Sequence, residues 1–322
     1  MRHTILGKSG LDVSRIAFGT WQLGGDWGPT DTEAATEAIR RAADRGVTFF
    51  DTAQAYGFGQ SEQLLAAALR SVPRQEVVIA TKGGLRPAGN GVARDARPAW
   101  IRQGVDASLQ ALGTDYIDLY QLHWPDPATP FEETADALAK LIVDGKIRHV
   151  GVSNFDVVQM EAFNATLPIE TLQPPYHLFR RDIETDVLPY TAANDIGVLV
   201  YGPLAHGLLS GQLRPDTQFA PGDWRSHNPM FAGESYARNL RTVAQLATLA
   251  TEELGITLAQ LAVAWTLANP AVHVAIVGTR NPEHVDAALS ASEIDLDDEV
   301  MQRIDQIMAG AASVSGPSPE TM

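Results

Sequence analysis

Four residues whose side chains move or stabilise protons follow three short apolar segments of the chain. Asp51 and Tyr56 come after residues 47–50, Lys82 comes after 77–80, and His123 comes after 117–122. A phenol, with an ordinary pKa of about 10, protonates an alkoxide poorly at neutral pH unless its anion is stabilised. A nearby ammonium group favours the phenolate, a carboxylate offsets the buried ammonium, and a neutral imidazole can orient a carbonyl oxygen. The set suits proton transfer to or from an oxygen while hydride moves at the attached carbon.

Each of these side chains has a plainer interpretation when it is taken alone. An aspartate after a strand often forms a turn, and a tyrosine or histidine is often part of the core. Lys82 also suits a solvated strand end or the Schiff-base lysine of an aldolase-type barrel. Four such residues at neighbouring strand ends favour a joint site.

Eight short apolar runs rich in Val, Ile and Phe predict buried parallel strands. They cover residues 16–19, 47–50, 77–80, 117–122, 149–152, 169–172, 198–201 and 274–277. Amphipathic segments of helical period separate most of them, at 31–45, 61–70, 98–112, 131–143 and 181–194. This alternation predicts the α/β class and a (β/α)8 TIM barrel, with a doubly wound sheet as the alternative. In a barrel the carboxyl ends of the strands meet at one mouth, so the four residues should converge there.

The predicted helices have recognisable ends. Plausible N-caps are Thr30 or Asp31, Ser61, and Asp182, and Pro98 suits a first turn. Glycines that fall after helices, where a left-handed C-cap is expected, are Gly46, Gly113, Gly145 and Gly197.

Three additions to the barrel are predicted. Residues 4–6 and 12–15 form a hairpin that closes the barrel floor. A long insertion between strands 7 and 8 holds a polar segment at 214–229 and helical patterns at 234–253 and 258–268. We expect it to be a substrate lid, with a mobile surface loop as the alternative. Residues 282–289 form the eighth barrel helix, and 297–308 form an extra helix. Residues 1–310 thus make one domain, followed by a disordered tail at 311–322.

Composition excludes several classes of protein. The net charge is 24 − 39 = −15, which argues against binding to nucleic acid or an anionic membrane. The chain has no cysteine, so disulfides, cysteine-ligated metals and a thiol nucleophile are excluded. The histidines do not cluster at metal-ligand spacing, and we expect no metal. With no signal peptide or apolar span in the sequence, a cytoplasmic enzyme is expected.

The strand ends resemble the aldo-keto reductase family, in particular its bacterial NADP-dependent members. Residues 50–62, FDTAQAYGFGQSE, are similar to a D-T-A-x-x-Y-G-x-G-x-S-E signature at strand 2. Further blocks match in the same order at residues 81–82, 118–123, 151–155, 173–180, 201–204, 207–211 and 278–282. The resemblance implies that Tyr56 is the general acid/base, that Lys82 and Asp51 tune it, and that His123 orients the substrate carbonyl.

The resemblance also implies a nicotinamide cofactor. Ser153, Asn154 and Gln173 would hold its carboxamide, and Tyr176 would stack on its ring. The strand-7 segment would cradle the pyrophosphate through Tyr201, Gly202, Pro203, Leu204, Gly207, Leu209 and Gly211, although Tyr201 and Leu209 equally suit barrel packing. The strand-8 contacts would be Gly278, Thr279, Arg280 and His284.

Arg280 bears on the choice of cofactor. A guanidinium group beside the adenosine ribose suits a 2′-phosphate, so NADP(H) is favoured over NAD(H). His284 stands where many family members have Gln, and Ala288 where many have Asn or Glu. Use of NAD(H) as well therefore stays open.

The resulting expectation is an oxidoreductase that reduces aldehydes or ketones to alcohols. Trp21 and Trp124, with Trp224 from the lid, would wall the substrate pocket; ordinary packing under loops is the alternative. Two other functions stay open. One is a sugar or polyol dehydrogenase that works in the oxidative direction, and the other is a cofactor-binding regulatory subunit of a potassium channel.

Overall fold

The eight apolar runs form a closed barrel of parallel strands. The computed structural model describes residues 1–25, 27–28, 30–89, 91–220 and 222–314. Its strands, in chain order, are β1 (His3–Ile5), β2 (Asp12–Ser14), β3 (Ile16–Gly19), β4 (Phe49–Asp51), β5 (Val78–Gly83), β6 (Leu85–Ala88), β7 (Gly91–Arg94), β8 (Ile117–Leu122), β9 (Ile147–Ser153), β10 (Thr171–Gln173), β11 (Gly197–Tyr201) and β12 (Val274–Val277). The barrel runs β3-β4-β5-β8-β9-β10-β11-β12 and closes between β12 and β3. The predicted TIM barrel is confirmed.

Helices follow the barrel strands and cover the outside of the barrel. They are α1 (Thr32–Asp44), α2 (Gln60–Ala68), α3 (Pro98–Leu112), α4 (Phe131–Val143), α5 (Val157–Asn164), α6 (Val187–Ala193), α7 (Gly233–Thr248), α8 (Leu258–Ala268), α9 (Val285–Ser290) and α10 (Asp298–Met308). The observed bounds of α3, α4 and α8 equal the predicted ones. α3 and α4 each have an apolar stripe that packs on the barrel, whereas α8 is buried on nearly all sides. Asp31 caps α1, as expected, by accepting hydrogen bonds from the N–H groups of Glu33 and Ala34.

The interior of the barrel is packed, and a hairpin closes its floor. Inward-facing side chains such as Phe49, Leu119 and Leu199 form an inner cluster, separate from the larger core between strands and helices. β1 and β2 pair antiparallel below the barrel, which confirms the predicted floor hairpin. Leu6 and Val13 belong to the inner cluster and are fully buried. The hairpin therefore closes the end of the barrel opposite the mouth.

Two predicted helix starts are wrong because the side chains have other partners. Gly59, not Ser61, occupies the N-cap position of α2, and Ser61 lies inside the helix. Its hydroxyl donates a hydrogen bond of 2.7 Å to the hydroxyl of Thr20, which directly follows strand β3. The predicted helix at 181–194 divides into a 3-10 turn at Asp182–Glu184 and α6, and Asp186, not Asp182, caps α6.

Gly197 is not a helix C-cap. It is the first residue of β11, and Asp195 takes the left-handed conformation before it, with φ of 51°. A Cβ atom on Gly197 would lie 2.7 Å from the Leu6 carbonyl oxygen. The glycine is thus required by the close approach of the floor hairpin to β11.

Two elements have no counterpart among the predicted ones. The hairpin of β6 and β7 follows β5 at the mouth of the barrel. Helix α5 begins at a capping box formed by Asp156 and Gln159. Both elements are short, and the hydrophobic period of α5 is weak, so the sequence pattern did not reveal them.

The long insertion between β11 and β12 has the predicted extra helix. After 3-10 turns at Ala205–Ser210, Trp224–His227 and Pro229–Phe231, α7 continues into a π-helical turn at Leu249–Glu253 and then α8. The predicted eighth barrel helix is α9, preceded by a 3-10 turn, and the predicted C-terminal extra helix is α10, capped by Asp297.

The end of the described chain is held against the barrel domain. The Val314 N–H donates to the Phe179 carbonyl, and the Ala312 N–H donates to Asn239 Oδ1. The rest of the predicted tail, 315–322, lies outside the described residues, and the domain boundary at residue 310 stays a prediction. Within the described part, no single helix is long and apolar enough to cross a membrane. α7 with its π-turn and α8 reach the required length and apolar composition only when they are taken together, and a bend of 95° separates them.

The floor contact gives a test of the fold. Substitution Gly197→Ala places a methyl group against the backbone of Leu6, and overpacking of this kind typically costs about 1–3 kcal/mol. Gly310→Ala is the control, because its nearest neighbouring atom would be 3.5 Å away. We expect chemical denaturation to show a lower free energy of unfolding for Gly197→Ala only. Equal stability of both variants would contradict the floor contact.

Candidate active site

The ammonium group of Lys82 lies at the centre of the predicted proton-transfer set. Lys82 is fully buried in β5. Its Nζ donates hydrogen bonds of 2.6 Å to Asp51 Oδ1, 3.0 Å to the Thr52 carbonyl and 3.3 Å to the Tyr56 hydroxyl. An ammonium group has three N–H donors, and these three acceptors match them. The lysine thus joins a carboxylate to a phenol, an arrangement that favours the phenolate form.

His123 completes the set from the next strand. It follows β8, is 1% exposed, and its backbone N–H donates to the Gly83 carbonyl at 2.9 Å. Its ring stands edge-on to the Tyr56 ring, with 5.7 Å between centroids. The structure therefore brings together all four residues that the sequence selected.

The second carboxylate oxygen of Asp51 is held from across the barrel. Gln173 Nε2 on β10 donates to Asp51 Oδ2 at 2.9 Å, and Gln121 Nε2 on β8 lies at 3.5 Å. Gln173 also lines the cavity described below. Its amide nitrogen thus donates to the Asp51 carboxylate, an interaction that the expected carboxamide role did not include.

Hydrogen bonds among three neighbouring hydroxyl groups fix the turn that carries Tyr56. Ser61 Oγ donates to Thr20 Oγ1 and lies 3.1 Å from Thr52 Oγ1. Gly57 and Phe58 both have positive φ values, 68° and 45°. The tight turn between β4 and α2 follows from this geometry, and it points the Tyr56 hydroxyl at Lys82.

A cavity of about 450 Å³ opens at the mouth of the barrel beside this set. Asp51 and Tyr56 form one end of its lining. Nine of the predicted cofactor residues line it, namely Gln173, Tyr201, Gly202, Pro203, Leu204, Gly207, Gly278, Thr279 and His284, as does Trp21. The cavity joins the ends of β3, β10, β11 and β12 to the insertion.

Glycines give this cavity a backbone surface. Gly202 and Gly207 have φ values of 69° and 100°, which favour glycine. A Cβ atom on Gly278 would lie 2.5 Å from the Gly19 carbonyl oxygen. A glycine-lined cradle that continues from the Tyr56 end fits a dinucleotide, because backbone groups can approach its pyrophosphate.

Two other predicted residues lie just behind the cavity wall. Ser153 Oγ donates to the Gln173 carbonyl, and Asn154 Nδ2 donates to Ser153 Oγ and to the His123 carbonyl. The Tyr201 hydroxyl donates to Asn154 Oδ1 at 2.8 Å. Ser153 and Asn154 therefore connect β9 to the neighbouring strand ends.

The structure does not place Tyr176 at the cavity, where the expected stacking on the cofactor would require it. The Tyr176 ring is buried against Trp265 of α8, with centroids 5.0 Å apart, and its hydroxyl donates to Glu184. It does not line the cavity, whereas Tyr201 does. The aromatic ring available at the cavity thus comes from β11, one strand later than expected.

Several further predicted cofactor and pocket residues, Arg280 among them, are likewise absent from the cavity lining. Trp124 packs below Arg94 of the β6–β7 hairpin, and Trp224 is buried behind Trp21. Leu209 is buried, and Gly211 ends the 3-10 turn at Ala205–Ser210. The structure gives no support to their direct contact with a ligand in this cavity.

A clasp links three loops above the cavity. Trp27, from the loop after β3, forms a β-bridge with Asp223 of the insertion. Arg280, after β12, donates from Nη1 to the Trp27 carbonyl at 3.1 Å. Arg225 pairs with Asp223 and donates to the His206 carbonyl. The insertion is thus fastened over the cavity, and Arg280, predicted as a phosphate ligand, takes part in the fastening.

Sequence reasoning missed several lining residues. They include Gln22, His206, Ser210, Gln212, Arg225, Thr257 and Glu283. No sequence signal marked His206, which lies five residues after the end of β11, whereas Ser210 lay within a matched family block. Among the described residues no group of His, Asp and Glu could hold a metal ion, and the expected absence of a metal stays a prediction.

Comparison with known proteins identifies the family to which the chain belongs. The model of the aldo/keto reductase family matches residues 15–309. The chain belongs to this family. It is 42% identical to the aldo-keto reductase YhdN of Bacillus subtilis, over 100% of this chain and 98% of that protein. It is 33% identical to the NADH-specific methylglyoxal reductase of Escherichia coli, over 92% and 95%.

Solved structures of aldo/keto reductase relatives have the same fold. The glycerol dehydrogenase of Gluconobacter oxydans matches with a TM-score of 0.87 and 40% identity, over 96% of this chain and 95% of that one. An aldo/keto reductase from Klebsiella pneumoniae, in complex with NADP and acetate, matches with a TM-score of 0.75 and 29% identity, over 99% and 98%. The protein is therefore an oxidoreductase of the aldo/keto reductase family, whose members act on small carbonyl compounds.

The clasp gives a second test of the structure. Burial acts to raise the pKa of Asp223, but Arg225 and the more distant Arg280 outweigh it and hold that pKa below its usual value. Substitution Arg225→Met leaves a buried carboxylate without its ion-pair partner, which typically costs about 3–5 kcal/mol. Arg303→Met is the control, because Arg303 and Glu253 form an exposed pair. An exposed pair contributes about 0–1 kcal/mol.

We expect urea denaturation at neutral pH to show the larger loss for Arg225→Met. Because the pKa of Asp223 is lowered by folding, its contribution is present above the ordinary aspartate value of about 4 and disappears as the pH falls through the folded value. Equal losses for the two variants at neutral pH would contradict a clasp held by Arg225.

Proposed function

We propose that the protein reduces aldehydes or ketones to alcohols with NADPH, with Tyr56 as the proton donor. The observation that carries this proposal is the hydrogen-bonded series Asp51–Lys82–Tyr56, with Tyr56 at the wall of the cavity. Cytoplasmic placement, and the absence of nucleic-acid and membrane partners, stay predictions from charge and composition.

The four residues divide the reaction between them. A nicotinamide cofactor bound in the glycine-lined cavity supplies hydride to the carbonyl carbon. Tyr56 gives its hydroxyl proton to the carbonyl oxygen, and the Lys82 ammonium stabilises the phenolate that remains. Asp51 balances the charge of Lys82. The His123 imidazole, edge-on to Tyr56, orients the oxygen.

NADP(H) is the proposed cofactor, with NAD(H) as an alternative. Arg280 directly follows Thr279, which lines the cavity, and its guanidinium group donates to the carbonyl of Trp27, another lining residue. A guanidinium group at this side of the cavity suits a 2′-phosphate. The Klebsiella structure holds NADP, which supports this choice. The Escherichia coli relative is NADH-specific, which keeps the alternative open.

A second candidate is the oxidation of a polyol. It is favoured by the similarity to the Gluconobacter glycerol dehydrogenase, at 40% identity. The same residues serve in reverse, since a phenolate beside an ammonium group accepts the proton of an alcohol. Assays at 340 nm in both directions, with aldehydes, ketones, sugars and polyols and with both cofactors, decide between the two.

Tyr56→Phe tests the proposed chemistry. Without the hydroxyl, the carbonyl oxygen has no positioned proton donor, and kcat should fall by about 100- to 10,000-fold. The dissociation constant for NADPH, measured by fluorescence titration, should change little. Tyr190→Phe is the control, because the Tyr190 hydroxyl accepts its hydrogen bond of 3.3 Å from Asn164 on the outside of the barrel, away from the cavity. Retention of full turnover by Tyr56→Phe would refute the assignment.

Arg280→Ala tests the cofactor preference. Removing the guanidinium should raise the dissociation constant for NADPH by about tenfold or more, since charge-assisted hydrogen bonds to a phosphate contribute about 1.5–3 kcal/mol. The value for NADH should rise much less, because NADH lacks the 2′-phosphate. Weakening of both cofactors by the same factor would show that Arg280 acts through the loop clasp and does not recognise the phosphate.

A further inference from the structure

Glu62 is a buried carboxyl group behind the proton-transfer set, and no role described above uses it. It lies in the first turn of α2, where an acidic side chain is ordinarily exposed, yet only 1% of its surface is accessible. Its Oε1 accepts a hydrogen bond of 2.7 Å from the Thr81 hydroxyl, and the Ser108 hydroxyl of α3 lies near enough to the carboxyl group to lower its pKa. Burial still disfavours the ionised form of a carboxyl group that is contacted only by hydroxyl groups. Packing alone therefore gives no reason for a glutamate here.

Lys82 provides that reason. Thr81, the hydrogen-bond donor to Glu62, directly precedes Lys82 on β5. Burial raises the pKa of Glu62, while the hydroxyl groups of Thr81 and Ser108 and the positive charge of Lys82 lower it. The carboxyl group and the ammonium group thus interact through the interior, where few other charges are present to screen them.

The charged and titratable side chains near Glu62 and Lys82 come from several strands and helices. Asp51 lies on β4, Lys82 on β5 and Tyr120 on β8, and His123 directly follows β8. Burial raises the pKa of the Tyr120 phenol, and the charge of Glu62 raises it further. α3 contributes only Gly104 and Ser108, which are uncharged. Lys82 is the one cation in this set, with Asp51 and Glu62 as its two carboxyl groups.

Lys82 is not the sole hydrogen-bond donor to Asp51 among the described residues. Its Oδ2 accepts a hydrogen bond from Gln173, so part of its negative charge is directed away from the ammonium group. A fully buried ammonium group needs ample negative potential to keep its third proton. A second carboxyl group on the α2 side supplies that potential without occupying one of the three N–H donors.

We propose that Glu62 is a positioning residue that, with Asp51, keeps Lys82 an ammonium group with its three N–H donors directed to Asp51, Thr52 and Tyr56. The inference rests on the proposed role of Tyr56 as proton donor. Glu62 acts on the reaction through Lys82 and touches neither substrate nor cofactor.

Glu62→Gln tests the proposal, because the amide oxygen can still accept the Thr81 hydrogen bond while the charge is removed. The measurement is the 13C resonance of tyrosine Cζ across a pH titration of the full chain without cofactor, with the Tyr56 signal assigned by its loss in Tyr56→Phe. Loss of a negative charge favours release of the first proton from the Tyr56–Lys82 pair. The pH midpoint should therefore fall, by about half a unit or more.

Glu132→Gln is the matched control, since Glu132 lies exposed in the first turn of α4 and should leave the midpoint unchanged. In turnover assays, the alkaline limb of kcat for carbonyl reduction should move to lower pH by the same amount in Glu62→Gln. An unchanged Tyr56 midpoint in a folded Glu62→Gln variant overturns the proposal and leaves Glu62 a structural residue.

A reciprocal measurement decides the question if Glu62→Gln does not fold. In protein labelled at glutamate Cδ, the pH midpoint of Glu62 should rise in Lys82→Met relative to the unmodified chain, because coupling between two sites is mutual. An unchanged Glu62 midpoint overturns the proposal. Neither titration needs substrate, so a protein that shows both shifts but no carbonyl reduction would contradict the proposed function alone.

Discussion

The structure of the mouth depends on one constraint, the burial of a charged lysine. Lys82 has no accessible surface, so each of its three N–H groups must have an acceptor inside the protein. Those acceptors come from β4 and from the turn after it, and Asp51 is held in turn by Gln173 from the opposite side of the barrel. A small shift of any one strand would leave a charge without its partner. The hydrogen bonds that satisfy Lys82 and Asp51 therefore also hold the barrel strands in position.

The two ends of the barrel meet different demands. At the floor, Leu6 and Val13 join the inner apolar cluster, and the hairpin approaches β11 so closely that Gly197 cannot carry a side chain. At the mouth, polar groups replace apolar ones, and the loops that cover them are fastened to each other through Trp27, Asp223 and Arg280. The floor supplies stability, whereas the mouth leaves room for a ligand.

The strand pattern could be predicted because it depends on local composition. Short runs of Val, Ile and Phe are buried on both faces in a parallel sheet, and this leaves a continuous apolar signal. The bounds of α3 and α4 followed from their apolar stripes in the same way, and those of α8 from its almost wholly apolar sequence. Gly197 and Ser61 were misread because their partners, Leu6 and Thr20, are distant in sequence. No local pattern records such a contact.

The sequence by itself determined the family, the barrel and the identity of the four residues at the strand ends, because motif and period are written in consecutive positions. Only the tertiary structure decided which way the other side chains face. Tyr176 turns to Trp265 and Tyr201 to the cavity, although both follow apolar strands. Trp124 and Trp224 lie beneath loops, and Arg280 reaches Trp27. The direction of a side chain at a strand end depends on what packs against it, and those neighbours come from distant parts of the chain.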